Sequence, residues 1–118
     1  MRIEIKRSKD STAILITFDT VKKNFESPSE RNRFFWELYG RRQVVTKDSG
    51  RYEYEKEGLM DEIPHIKVSD SVFIIATEHM RRMIQFFNEW ENKVMFKTFP
   101  VILTKKEVDD MEREFAEE

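Results

Sequence analysis

Cysteine is absent from this 118-residue chain. That absence excludes a disulfide framework, a thiolate zinc site and a cysteine nucleophile. Glycine is scarce: three residues, all isolated, so no glycine-rich loop can cradle a nucleotide in P-loop or Rossmann fashion. The longest apolar run, Val72 to Ala76, has five residues, against the roughly 20 needed to span a bilayer. The start, Met1-Arg2-Ile3-Glu4-Ile5-Lys6, carries no apolar h-region, so no signal peptide is expected; with such short apolar runs no membrane partner is expected either, and a reducing cytoplasm suits the lack of cysteine. Neither sign of charge dominates either. Lys and Arg number 21 against 23 Asp and Glu, for a net charge of −2. With no global field to steer nucleic acid, any nucleic-acid site must be a local patch.

What is present points to an ordered core. Hydrophobic residues make up 39% and aromatics 13%, ten of them Phe, which argues against disorder. The length fits one domain over 1–118.

The apolar pattern predicts alternating strands and helices. Ile3 and Ile5 alternate with Glu4 and Lys6 as a short N-terminal strand. Ala13-Ile14-Leu15-Ile16 runs on to Phe18 without alternating, so it reads as a strand covered on both faces and ended by Asp19. Ser27-Pro28-Ser29-Glu30 is a capping box with Pro at the first helical position, followed by Phe34, Phe35 and Leu38, with Gly40 to end the helix. Residues 41–57 read as a hairpin turning at Asp48-Ser49-Gly50. Ile66 and Val68 mark a strand, Val72–Ala76 a second continuous buried one, and Thr77 the cap of a helix carrying Met80, Met83, Ile84, Phe87 and Trp90 on one stripe. Val94–Leu103 is a last strand, placed at an edge by Pro100. Thr104-Lys105-Lys106-Glu107 opens a C-terminal helix with Val108, Met111 and Phe115 inward.

Two β-α-β halves emerge, one led by 13–18 and one by 72–76. The expected fold is α+β: a ferredoxin-like, split βαβ sheet with those two strands central. The hairpin, the N-terminal strand and the C-terminal helix are additions. The rival arrangement pairs residues 2–7 with 12–18 as a hairpin.

Asp19 is the first candidate site residue. A carboxylate at the end of a central strand can hold Mg²⁺ or Mn²⁺ through oxygen; Asp is also a common turn former, so the competing reading has it cap a turn at Thr20–Val21. The second candidate is a basic-aromatic set: Arg31 and Arg33 on the first helix, then Tyr39, Arg41, Arg42, Lys47, Arg51, Tyr52 and Tyr54. Arg and Lys bind phosphates and Tyr offers a stacking face to single-stranded bases. Glu30, Glu37, Glu53, Glu55 and Glu57 are interspersed and support the alternative of a solvated, ion-paired surface. His65 near Asp61 and Glu62 could join Asp19 in an oxygen/nitrogen metal set, although that spacing is no known ligand motif. His79 lacks a clear partner, and neither His forms a triad with Ser and Asp.

Ile14-Leu15-Ile16-Thr17-Phe18-Asp19, a helix, and then Val68-Ser69-Asp70-Ser71-Val72-Phe73-Ile74 resemble the CRISPR-associated Cas2 and VapD-like families over about half of the chain. The resemblance implies a small ferredoxin-like homodimer that interacts with RNA or DNA. It implies that Asp19, paired across the dimer, supports metal-dependent phosphodiester hydrolysis, with Ser71 and Phe73 marking the middle strand. Two alternatives stand beside this endonuclease reading: a non-enzymatic interaction module on the same fold, and a small-molecule regulatory domain.

Overall fold

The computed structural model describes residues 12–47 and 50–117, with backbone alone for 42–45, 47, 52–54 and 117. The expected N-terminal strand, its rival pairing with 12–18, and the hairpin turn at 48–49 lie outside the described residues. The chain is α+β. β1 (Thr12–Thr20) leads into α1 (Pro28–Tyr39), followed by the hairpin β2 (Arg41–Lys47) and β3 (Gly50–Lys56). Next come β4 (His65–Ser69), β5 (Val72–Ala76), α2 (Met80–Glu89), β6 (Val94–Ile102) and α3 (Lys105–Glu117). The main sheet is antiparallel throughout, in the order β4-β5-β1-β6, and β2-β3 forms a separate two-stranded sheet. β1 and β5 are therefore the central strands, and β6, with Pro100, lies at an edge as the sequence predicts.

Alternation along β1 sorts its side chains onto two faces. Ile14, Ile16 and Phe18 point into the main core with Phe73 and Ile75 of β5. α1 supplies Phe34 and Leu38, and α2 supplies Met83, Phe86, Phe87 and, just beyond its end, Trp90. Phe18 sits at the centre of the rings, 5.7 Å from Phe34 edge-on and 5.5 Å from Phe87. Such contacts add to simple area burial.

The opposite face is covered only in part. α3 packs Val108 over Ala13 and Leu103, with Ile66, Ile74 and Val101 beside them. Beyond α3, Phe99 is 48% and Met95 66% exposed. This corrects the expectation of two fully covered central strands: Leu15, Val72 and Ile74 are half-buried, because α3 covers only one end of that face.

The caps follow the predicted chemistry with two differences. Thr104 and Glu107 exchange both bonds of a capping box, at 2.9 and 3.2 Å. Ser27 Oγ accepts from Glu30 N at 3.1 Å, but the Glu30 carboxylate accepts from Glu26 N, one residue earlier than a capping box requires. Thr77 does not cap α2. A 3₁₀ turn over Thr77–His79 precedes the helix, and the Thr77 hydroxyl donates instead to Thr12 O.

Gly40 and Gly58 join the hairpin to the core. Gly40 takes φ 91°, and its N–H donates to Trp36 O at 2.8 Å, closing α1. Gly58 lies against that helix end: a Cβ there would stand 2.1 Å from Gly40 N and 2.7 Å from Leu38 O. Gly58 N donates to Asp61 Oδ2 at 2.8 Å, and the 3₁₀ turn that follows buries Met60.

Candidate nucleic-acid interface

Asp19 does not end the first strand. β1 continues to Thr20 because its ladder with β6 persists, pairing Asp19 with Met95 and Thr20 with Val94. Paired residues share a face, so Asp19 belongs to the partly open side of the sheet, with Thr17 and its partner Lys97. Its side chain is exposed.

The proposed metal set does not assemble. The His65 ring Nδ1 is 2.8 Å from Ile63 O, Asp61 accepts from Gly58 N, and Glu62 pairs with Arg82. Among the described residues, no group of three or more His, Asp or Glu could hold a metal ion. The described side chains of one chain therefore assemble no Mg²⁺ or Mn²⁺ site, and Asp19 contributes a single carboxylate.

The basic-aromatic set divides into separate places. Arg31 is half-buried at the start of α1, where Nη2 reaches Thr20 Oγ1 at 3.5 Å and the guanidinium lies 5.1 Å from the Phe35 ring centre. Arg33 stacks over Trp90 at 5.0 Å and pairs loosely with Glu37 at 3.9 Å. Arg41 lies at the other end of α1, its guanidinium 4.0 Å from the ring centre of Trp36, which is 38% exposed. Cation–π stacking at such an exposed site is worth about 0.5–1 kcal/mol.

The hairpin register sorts the rest. It pairs Arg41 with Lys56, Gln43 with Tyr54, Val45 with Tyr52 and Lys47 with Gly50, which places those positions on one face. Arg42 pairs with Glu55, Val44 with Glu53 and Thr46 with Arg51, on the other. By position, one face thus gathers Arg41, Lys47, Lys56, Tyr52 and Tyr54, whereas the other sets Arg42 and Arg51 among Glu53 and Glu55. A cleft of about 630 Å³ opens at the hairpin base between Tyr39, Arg41, Lys56 and Phe115. Glu55, Glu57 and Asp61 also line it and oppose a phosphate there.

Tyr39 belongs to the scaffold. Its hydroxyl donates to Asp70 O, tying α1 to the β4–β5 turn, and Lys67 Nζ lies 5.0 Å from its ring centre. Burial, with a smaller contribution from the Asp70 charge, pushes its hydroxyl up to about 12.

Sequence reasoning missed Trp36 and Lys56. Trp36 stands off the Phe34–Leu38 stripe of α1, and an aromatic residue on the polar side of an amphipathic helix was the signal available. Comparison with protein families, curated proteins and solved structures yields no match. No described helix is long and apolar enough to cross a membrane.

Proposed function

We propose that the chain is a cytoplasmic, nucleic-acid-interacting protein on a ferredoxin-like, split βαβ sheet, acting as a homodimer. Support for the fold is the order β4-β5-β1-β6 with α1 between β1 and β4 and α2 between β5 and β6. Support for the dimer is the partly open sheet face with Phe99 and Met95, since exposed apolar patches mark association surfaces. The nucleic-acid reading rests on one observation: the register that puts Arg41, Lys47, Tyr52, Tyr54 and Lys56 on a single hairpin face, next to the Arg41–Trp36 stack. Cations along a strip bind phosphates while aromatic rings stack bases, a combination suited to single strands.

Metal-dependent cleavage is the further version of this reading. It requires Asp19 from both protomers, since the described residues of one chain supply a single carboxylate there. A non-enzymatic protein-interaction module is the alternative, and the open sheet face favours it equally.

The register sharpens the test. Binding to single-stranded RNA or DNA should weaken steeply with salt, with a slope of about −0.7 per phosphate contacted. Arg41→Glu should weaken binding and flatten that slope, whereas Arg42→Glu, on the Glu-bearing face, should do much less. Equal effects would dismiss the face, and no salt-sensitive binding to either nucleic acid would dismiss the reading. Cleavage in Mg²⁺ or Mn²⁺ that Asp19→Ala abolishes would establish the catalytic version; binding without cleavage would leave the non-enzymatic one.

A further inference from the structure

At the end of α1 remote from the hairpin lies a second cavity, of about 400 Å³, between the 3₁₀ turn at Lys22–Asn24 and the first turns of α1. Its volume is in the range of small-ligand sites. Lys22, Ser27, Arg31 and Asn32 supply its uncharged and cationic polar groups, Phe25 and Pro28 its apolar ones, and Glu26 is the one carboxylate lining it.

The walls are held from several directions. Val21 N donates to Lys93 O at 2.8 Å, and Asn24 Nδ2 donates to Asn92 O. Phe25 is buried with its ring 6.1 Å from that of Trp90. Glu26 N donates to Glu30 Oε1 at 2.9 Å, and the same oxygen accepts from Lys93 Nζ at 2.7 Å. Those two bonds, Lys93 first, hold the Glu30 carboxyl below its ordinary range, so Glu30 is committed to Lys93.

That commitment matters for Arg31. Its contacts are a long hydrogen bond to a hydroxyl and the face of an aromatic ring, and Nε has no hydrogen-bond partner among the described residues. No carboxylate offsets its charge in these contacts. The helix terminus is not what makes the site, because Glu30 N and Arg31 N are already bonded to Ser27. What remains is a preformed apolar recess with two cations against one carboxylate.

We propose that this cavity binds a small organic anion, with the anionic head on Lys22 and Arg31 and the apolar body against Phe25 and Pro28. This goes beyond the nucleic-acid reading and does not depend on it.

Phenyl phosphate is a suitable probe, with inorganic phosphate as the head alone and phenol as the body alone. In amide NMR titrations of the full chain, phenyl phosphate should give saturable shifts concentrated in residues 22–32 and should bind more tightly than either fragment. Lys22→Ala, at an exposed position that should not disturb folding, should weaken it about threefold or more, in line with loss of one partly solvated charge contact. Arg31→Gln should weaken it further. If Arg31→Gln fails to fold, the Lys22 variant decides. Shifts scattered outside 22–32, an affinity no better than that of the fragments, or an unchanged Lys22→Ala affinity would overturn the proposal. Arg41→Glu should leave phenyl phosphate binding intact whatever it does to nucleic acid; loss of binding there would move the site to the hairpin and overturn the cavity.

Discussion

At the scale of single residues, Tyr39 is the clearest case of a side chain whose environment decides its role. The chain has three tyrosines, all near arginines in sequence, and composition alone does not separate Tyr39 from the other two. Its position at the end of α1 brings the hydroxyl to the Asp70 carbonyl and shields the ring. Burial disfavours the charged phenolate, which raises its pKa above the ordinary value of about 10. The sign follows from linkage: this contribution to stability is complete below about pH 10 and is lost as pH rises through about 12. Tyr39→Phe removes one hydrogen bond and leaves the Asp70 carbonyl exposed enough for water to replace it. It should cost about 1 kcal/mol at neutral pH in urea denaturation. In an absorbance titration of the wild type, one tyrosinate step should come near pH 12, and Tyr39→Phe should lack it. A late step that survives in the variant would assign that ionisation to another tyrosine.

At the scale of elements, what the sequence made legible was whatever local chemistry decides. The Thr104–Glu107 box, Pro28 at the start of α1 and the hairpin pairing are set by a few adjacent residues, so their patterns could be read directly. The missed features depend on distant partners. Thr77 looked like a helix cap, but Thr12 O lies within reach of its hydroxyl. Asp19 looked like a strand terminus, but β6 continues beside it. The hairpin's attachment also depends on a non-local approach, between Gly40 and Gly58, that isolated glycines could not announce. Gly58→Ala would put a Cβ 2.1 Å from Gly40 N, with backbone on all near sides and nothing flexible to yield. Its cost should exceed about 3 kcal/mol, above the usual range for single substitutions. Gly50→Ala is the contrast. It meets no atom within 4 Å and suffers only its φ of 138°, so it should cost about 1–3 kcal/mol. Thermal melts of the two variants check the order; equal losses would mean that the glycine contact at the helix end is not what secures the hairpin.

At the scale of the whole molecule, the central placement of β1 and β5 was legible because continuous apolar runs need cover on both faces, while the partial cover was not, because nothing in a run of Leu15 or Ile74 tells how far α3 extends over it. The resulting open face carries Phe99, Met95, Thr17, Lys97 and Asp19 together. If it is the homodimer surface, Phe99→Glu with Met95→Glu should convert a dimer to a folded monomer in sedimentation velocity, since charges on that surface would be desolvated without partners. Asp19→Asn then reports what Asp19 faces. A two-fold axis that sets Asp19 against its own mate makes two carboxylates repel, so Asp19→Asn should tighten the dimer at low salt in the presence of a chelator, by a margin that shrinks as salt screens the charges. An axis that sets Asp19 against the partner's Lys97 makes an attractive pair, and the same substitution should loosen the dimer. The catalytic version of the proposed function needs the first outcome. A dimer loosened by Asp19→Asn would remove that version, while leaving nucleic-acid binding by the hairpin to stand or fall on Arg41.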